Sequence, residues 1–430
     1  MRFTLIDILR GTRTLRQYKT FLHTAYTPES LKSSQKKKLG ELLLYLNQSN
    51  PYYKRLLQSF APSLMLLNPR QILARIPVID KSVITENSAQ LFQPVPGRKY
   101  QAKQTGGSTG DPLRYYMDLE AISRSWAFIL WCWHQYAGYS PGDPYLTVSG
   151  SSLGTLGTRF RTKVYHTLQN NYLIKGDLVS PDMRVDSNKI RQARFLYGYP
   201  SSIVTLIETK PDIFRGHRLR AVFTTSEQLL PLVREFIEMQ LGIPVYDMYG
   251  ANDGGVISCE CREHIGLHYD PLNCYIEEYR NEGDLAEMLL TSLNSFSFPF
   301  VRYRVGDVAR LGDFGSCSCG SPFPMILKLS GRTRDLVRLA DGRKVHGVKL
   351  NKFIFAYPEI RRYRVIQSKN FSITVQVEID DFDAWAGSSR RSLFEQKMGD
   401  MLPGIGIVIK KLENGGNGNN KFKVIESHVS

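Results

Sequence analysis

At 430 residues the chain is long enough for a large core and a smaller second domain. Its 42% hydrophobic and 22% charged content is that of a folded protein, no apolar run approaches the roughly 18 residues a membrane-spanning helix requires, and six cysteines are too few for a disulfide scaffold in a chain this size. Lys and Arg number 56 against 40 Asp and Glu, a net charge of +16 that favours anionic partners such as nucleotides, nucleic acid or an anionic membrane face.

Much of the excess lies at the front. Through Gly40 the sequence holds Arg2, Arg10, Arg13, Arg16, Lys19, Lys32, Lys36, Lys37 and Lys38 against only Asp7 and Glu29. The opening segment, Met1 to Arg10, has too short an apolar core for a signal peptide and lacks a small-residue cleavage site, so a cytoplasmic location is expected. Its basic, amphipathic character also suits peripheral contact with a membrane surface.

Residues 1–75 read as helical, with Leu42, Leu43, Leu44 and Leu46 before a break at Asn50-Pro51. Ile76 to Asp80 leads into another helix. The stretch Gln104 to Arg114 packs Gly106, Gly107 and Gly110 among Thr105, Ser108 and Thr109, and backbone N–H groups there can approach a phosphate chain closely. It lacks the ending of a Walker loop and the spacing of a dinucleotide fingerprint. Ala121 to Tyr136 is too rich in apolar residues for a surface helix and reads as buried. Tyr145 to Val148 is strand-like, Phe195 to Ser202 reads as the opening of a helix, Leu219 to Thr225 as a strand, Leu230 to Met239 as a helix, and Val245 to Tyr249 as a strand. That alternation implies an α/β core of parallel βαβ units, followed by an antiparallel, strand-rich region from Cys274 to Leu311. A boundary falls near Gly331-Arg332-Thr333-Arg334-Asp335. Beyond it a compact α+β unit is expected, with a helix from Val348 to Ala356, a hairpin through Tyr363 to Asp381, a helix from Ser389 to Met401, a last strand from Ile407 to Lys411, and a Gly-Asn run from Asn414 to Asn420.

Five motifs stand out in order: the glycine loop; Tyr249-Gly250-Ala251-Asn252-Asp253; Arg302-Tyr303-Arg304-Val305-Gly306-Asp307; Gly331-Arg332-Thr333-Arg334-Asp335; and Asn420-Lys421-Phe422-Lys423. Each alone fits an ordinary turn. Together, with Gly198-Tyr199-Pro200-Ser201, they resemble the adenylate-forming superfamily of acyl- and aryl-CoA ligases. The resemblance is strongest to its phenylacetate-CoA ligase-like branch, which includes relatives among polysaccharide-biosynthesis proteins. It runs from about Ile76 to Lys423.

The resemblance implies a large AMP-binding domain over 76–333 and a small mobile lid over 334–430. It also implies a two-step reaction with ATP and Mg²⁺: a carboxylic acid becomes an acyl-AMP, and CoA or another acceptor then takes the acyl group. Thr105, Gly106, Gly107, Ser108, Thr109 and Gly110 would grip the β- and γ-phosphates. Tyr249, Gly250 and Asn252 would border the adenine, Asp307 would bind the ribose, and Arg332 would reach ribose or phosphate. Lys421 would sit on the α-phosphate and carboxylate, with Lys423 second. The usual metal-binding Glu is replaced here by Asp253, one methylene shorter, and Arg334 stands at a hinge position that is often acidic. Thr224 to Glu227, with Thr225 and Ser226 foremost, would line the acyl site. Nucleic acid is not expected as a partner.

Trp126, Trp131, Trp133, His134 and Tyr136 suit either core packing or the wall of an aryl pocket. Cys259, Cys261, His264, His268, Cys274, Cys317 and Cys319 offer the thiolate and imidazole ligands that tetrahedral Zn²⁺ favours. Similarity to a zinc-binding insertion in some phenylacetate-CoA ligase relatives implies Cys261, His268, Cys317 and Cys319 as a structural site, with Cys259 competing with Cys261.

Overall fold

The computed structural model describes the chain except for residues 1, 105–112, 150–158, 176–178, 180–181, 252, 283–284, 333–335, 347–349, 351–352, 355–356, 358, 413–424 and 430. The front is helical: α1 (Arg2–Arg10), α2 (Thr14–His23), α3 (Pro28–Ser49), α4 (Pro51–Leu57), α5 (Pro62–Leu67), α6 (Pro69–Leu73), α7 (Lys81–Glu86) and α8 (Ser88–Leu91). Helices α3 to α6 each begin on a proline, whose fixed φ suits the first turn and whose missing N–H is not needed there. Thr27 and Ser30 form a reciprocal cap on α3, and Asp80 caps α7 through the N–H groups of Ser82 and Val83.

Strands β1 (Tyr100–Gln104) and β2 (Arg114–Asp118) pair antiparallel on either side of the glycine-rich stretch. The aromatic run Tyr115-Tyr116-Met117 is therefore strand, an element that sequence reading left unassigned. Oδ2 of Asp118 accepts the N–H groups of Phe296 (2.7 Å) and Ser297 (3.1 Å), fixing the base of this hairpin to the body. Helix α9 (Leu119–Ala137) follows. It is buried along most of its length and stops at Gly138, which adopts a left-handed φ of 70°.

The main sheet runs through β3 (Tyr145–Ser149), β4 (Asn171–Lys175), β5 (Phe195–Gly198), β6 (Ala221–Thr224), β7 (Val245–Ala251), β8 (Val256–Glu260), β9 (Leu267–Tyr269), β10 (Cys274–Glu282), β11 (Leu285–Ser292), β12 (Tyr303–Gly312) and β13 (Met325–Arg332). Among the described residues its order is β10-β11-β12-β13-β9-β8-β7-β6-β5-β3-β4. The segment β4-β3-β5-β6-β7 is parallel and is connected through α10 (Arg159–Leu168), α11 (Ser187–Gln192), α12 (Pro200–Thr209) and α13 (Pro231–Leu241); the rest is antiparallel. Strand β7 is the seam. Its first half pairs parallel with β6, and its second half pairs antiparallel with β8. One expectation is corrected here: Phe195 to Gly198 is a fully buried strand, and the helix begins only at Pro200. A four-residue apolar run gives no period by which strand and helix can be told apart.

After β13, strands β14 (Leu336–Arg338) and β15 (Lys344–His346) pair with each other, and β16 (Arg362–Gln367), β17 (Ile373–Glu378), β18 (Ile407–Lys411) and β19 (Ile425–Ser427) form a sheet of order β18-β17-β16-β19. A separate core that includes Val337, Tyr363, Val365, Val375, Phe394 and Ile425 fills this unit. The strand expected to be last, Ile407–Lys411, is followed by β19, whose three residues carry too little pattern to be read. Gln367 is fully buried, and its amide donates to the Phe371 carbonyl (3.3 Å). It exchanges hydrogen bonds with the backbone of Arg338 (2.9 and 2.7 Å) and accepts from the Ser427 hydroxyl (2.8 Å).

A buried ion pair joins the helical front to the sheet. Arg124 on α9 donates Nε to Asp270 Oδ2 (2.5 Å) and Nη2 to Oδ1 (3.0 Å), and its guanidinium lies 4.8 Å from the ring of Phe21 on α2. Replacing Asp270 by Ala leaves that cation buried and unpaired, a loss of about 3–5 kcal/mol. Chemical denaturation of D270A should report it, and R124M/D270L should recover much of the difference.

Candidate functional site

The carboxyl ends of parallel strands are where open α/β sheets collect ligands. At this edge the backbone is tightly drawn. Thr225 N–H donates to Gly198 O (3.0 Å) and Tyr199 N–H to Val148 O (3.1 Å). A Cβ on Gly198 would lie 1.9 Å from the Val148 carbonyl oxygen, so only glycine fits there. Glu227 accepts from Ser201 N–H (3.1 Å) and from the Ser201 hydroxyl (2.9 Å), tying the stretch after β6 to the first turn of α12. Ser226, between Thr225 and Glu227, has a left-handed φ of 69° and is exposed at this edge. Such strain in a non-glycine residue marks a position held by its surroundings.

Beside them, on β7, Tyr249 donates its hydroxyl to Oδ2 of Asp307 on β12 at 2.6 Å. Burial, followed by the charge of Asp307, pushes the Tyr249 phenol well above its ordinary range, so it stays a donor. Gly250 follows directly. In the turn after β7, Asp253 accepts from the hydroxyl of Tyr303, the tyrosine of the Arg-Tyr-Arg-Val-Gly-Asp motif, at 3.1 Å. Two tyrosines thus cross between the second and third motifs, each holding the other motif's carboxylate. The turn requires glycine: a Cβ on Gly254 would fall 2.2 Å from Leu290, and Gly255 has a φ of 77°. Arg332 stands opposite Asp307 in the β12–β13 register, which adds the fourth motif to this group. Thr105 to Gly110, Asn252, Arg334, Lys421 and Lys423 lie outside the described residues.

The strand that carries Tyr303 is itself clamped. Arg302, at a left-handed φ of 50°, donates Nη1 to the carbonyls of Ala74 (3.1 Å) and Ile76 (2.7 Å) and pairs through Nε with Glu277 (3.2 Å). The Ile79 backbone bonds on both sides of Tyr303. Behind the Asp253 turn, Asn273 donates to Gly255 O (2.7 Å) and Ser125 Oγ (3.0 Å), and it accepts from Asn294, which in turn accepts from Lys38 (2.6 Å). Sequence reading missed Tyr303, Asn273 and Asn294 as site supports, because their role comes from partners 18 to 256 residues away.

Cys261, His268, Cys317 and Cys319 offer ligand atoms all within 4.8 Å of one another. Sγ of Cys261 and Cys317 are 3.6 Å apart, and Cys319 Sγ is 3.3 Å from His268 Nε2. His268 Nδ1 is 3.1 Å from the Phe323 carbonyl, which orients Nε2 into the cluster. Burial pushes the Cys261 thiol up to about 12 and keeps the imidazole neutral by lowering its pKa. Cys259, the alternative to Cys261, points elsewhere and interacts with Cys132; Cys274 is buried apart from the group. Tyr136 is not at the strand-end site with Thr225 and Ser226. Its ring stacks 6.3 Å from His268 and 6.4 Å from Tyr246, beside the cysteines. Trp133 stacks on Phe223 at 4.5 Å and Trp131 packs 5.0 Å from Phe323, both as core.

No protein-family profile matches the chain. It is 21% identical over 356 residues to Protein CapK of Staphylococcus aureus, covering 81% of this chain and 78% of that one. It is 30% identical over 130 residues to the phenylacetate-coenzyme A ligase of Pseudomonas putida, 28% and 29% of the two chains. Its structure matches 2-hydroxyisobutyryl-CoA ligase in the postadenylation state, with R3-HIB-AMP bound, at a TM-score of 0.69 and 17% identity over 95% of this chain and 91% of that one. The same enzyme with 2-HIB-AMP and CoA in the thioesterification state gives 0.57 at 19% identity over 94% and 91%. The fold is that of the adenylate-forming ligases.

One titration is legible at this site. Asp247, on β7, accepts from the Thr224 hydroxyl (2.7 Å), and burial plus the nearby Glu260 carboxylate pushes its pKa up to about 7. A raised acid pKa supports the fold in its protonated form, fully below the unfolded value, and loses that support as pH rises through about 7. Asp247→Asn should therefore melt near the parent at pH 4 and clearly above it at pH 8. A melting-temperature gap that does not change with pH would sink this account.

Proposed function

We propose that the chain activates a carboxylic acid, aromatic or small, with ATP and passes the acyl group to the thiol of CoA. The observation that carries the reading is the Tyr249–Asp307 hydrogen bond, which joins two motifs 58 residues apart at the ligand-collecting edge of the sheet. It is supported by a fold shared with enzymes solved as acyl-AMP and CoA complexes. In the first step a carboxylate oxygen attacks the α-phosphorus of ATP, forming an acyl phosphate bond while pyrophosphate leaves. In the second, the thiolate of CoA attacks the acyl carbon and AMP leaves. Neither step needs covalent help from the protein, so positioning and charge carry the rate.

In this reading the loop Thr105 to Gly110 grips the leaving phosphates, Tyr249, Gly250 and Asn252 border the adenine, and Asp307 takes the ribose hydroxyls. Arg332 and Lys421 supply positive charge at the α-phosphate. Thr225 and Ser226, at the end of β6, line the acyl side. Asp253 is a hard oxygen donor suited to Mg²⁺. With Oδ2 bonded to Tyr303, its shorter side chain is presented at a fixed angle. The small C-terminal unit, from about Arg334, turns between the two steps as a lid.

Acid-dependent exchange of labelled pyrophosphate into ATP, run over a panel of acids, is the direct test. The matching acid should give exchange, and Lys421→Ala should reduce it by about a hundredfold or more. Exchange by K421A at the parent rate, or none with any acid, would overturn the reading. Exchange without CoA thioester would move the acyl group to an amine, hydroxyl, sugar or carrier-protein thiol.

The thiol and imidazole cluster fits Zn²⁺: three sulfurs and one oriented nitrogen leave no open position, so the metal would clip β8, β9 and the β12–β13 loop together without taking part in the chemistry. Elemental analysis should find zinc in the purified chain, with Cys317→Ser losing it and Cys259→Ser keeping it. Retention by C317S would refute the assignment.

A further inference from the structure

The short helix α1 is apolar on two sides. Phe3 and Ile6 are buried against the body, while Leu5, Ile8 and Leu9 point away from it, exposed by 44%, 71% and 59%. At 100° per residue these three share one arc of about 100°. They add nothing to the core, and their exposure does not come from a loose segment. The inner side of α1 is fastened by Arg10, which donates to the Tyr165 hydroxyl at 2.7 Å with its guanidinium 4.7 Å from that ring. The corner into α2 is fastened by Asp7, which accepts from the Thr12 hydroxyl (2.6 Å) and from the N–H groups of Thr14 (3.0 Å) and Leu15 (2.8 Å). Arg13 N–H adds a bond to Ser123 on α9 (2.9 Å). The aliphatic trio is therefore presented rigidly.

The adjoining helix supplies charge. Arg13, just before α2, and Arg16 and Lys19 within it are exposed at every third position, and α2 contains no acidic side chain. Together with Arg2 they form no ion pair among the described residues. We propose that α1 and α2 make a peripheral docking surface for an anionic lipid bilayer. The aliphatic arc would enter the headgroup boundary while the cations meet the lipid phosphates. A second copy of the chain fits less well, because a two-fold contact through this corner would bring one cationic stripe near its own image. Nucleic acid would use the cations but leave the aliphatic trio in water, with no aromatic side chain among the exposed groups for stacking.

The test is co-sedimentation of the full chain with vesicles of phosphatidylcholine alone and of phosphatidylcholine with phosphatidylglycerol. Binding to the anionic vesicles only is expected, weakening as salt rises. Leu5→Gln/Ile8→Gln/Leu9→Gln and Arg13→Gln/Arg16→Gln/Lys19→Gln should each weaken it by about tenfold, equal to roughly 1.4 kcal/mol, with melting temperature and pyrophosphate exchange unchanged. If the aliphatic triple variant fails to fold, Ile8→Gln alone, at the most exposed of the three positions, serves in its place. Equal binding to both vesicle types, undiminished binding by the aliphatic variant, or no binding at all would overturn the proposal. So would a dimer in light scattering that the same aliphatic substitutions dissolve, which would assign the face to a second copy.

Discussion

The Arg124–Asp270 ion pair is the constraint on which the rest of the large unit depends. Its two charges are almost completely removed from water, a state that is tolerable only because each satisfies the other in a two-pronged geometry. It fixes α9 against the segment between β9 and β10, with the ring of Phe21 closing over the cation. One residue along α9 and three along the loop, Ser125 and Asn273 continue the polar chain to Gly255, just behind Asp253. The same interior that locks the helical front to the sheet thus also buttresses the turn bearing the candidate metal ligand.

From that buttress the site is assembled around β7. A strand that pairs parallel on one half and antiparallel on the other brings side chains from both kinds of sheet to a single edge. Asp247 and Tyr249 face this seam, and the crossed tyrosines bridge it to β12. Because each carboxylate is held by a phenol from the other motif, neither motif can shift alone. The clamp of Arg302 on the carbonyls of Ala74 and Ile76 extends this dependence to the helical front, which otherwise lies outside the motifs.

Much of this was legible in the sequence, and the limits have physical causes. The α/β alternation, the buried helix α9 and the pair of C-terminal elements Ser389–Met401 and Ile407–Lys411 are carried by local periodicity, and the structure has them. The four-residue cluster of Cys261, His268, Cys317 and Cys319 was approached through ligand chemistry and motif similarity, but choosing between Cys259 and Cys261 required knowing where β8 ends: residues two apart in a strand share a face, and Cys261 joins the cluster from just beyond the strand's last residue, Glu260. Tyr136 was drawn toward an acyl pocket because an amphipathic aromatic side chain suits a pocket as well as a core; its contact with His268 is a long-range fact that no window of sequence contains. Tyr303, Asn273 and the Arg124–Asp270 pair escaped for the same reason. The strand at Phe195 to Gly198 was hidden by shortness.

Gln367 ties together the two ends of the small unit. Its buried amide is bonded to Arg338, on the strand that opens just past Arg334, and to Ser427, on the strand that opens just past the segment containing Lys421. The strands on either side of that segment, β18 and β19, occupy opposite edges of the small sheet. Gln367 thus couples β14 to β19 through one side chain, so that a displacement at one end of the unit is felt at the other.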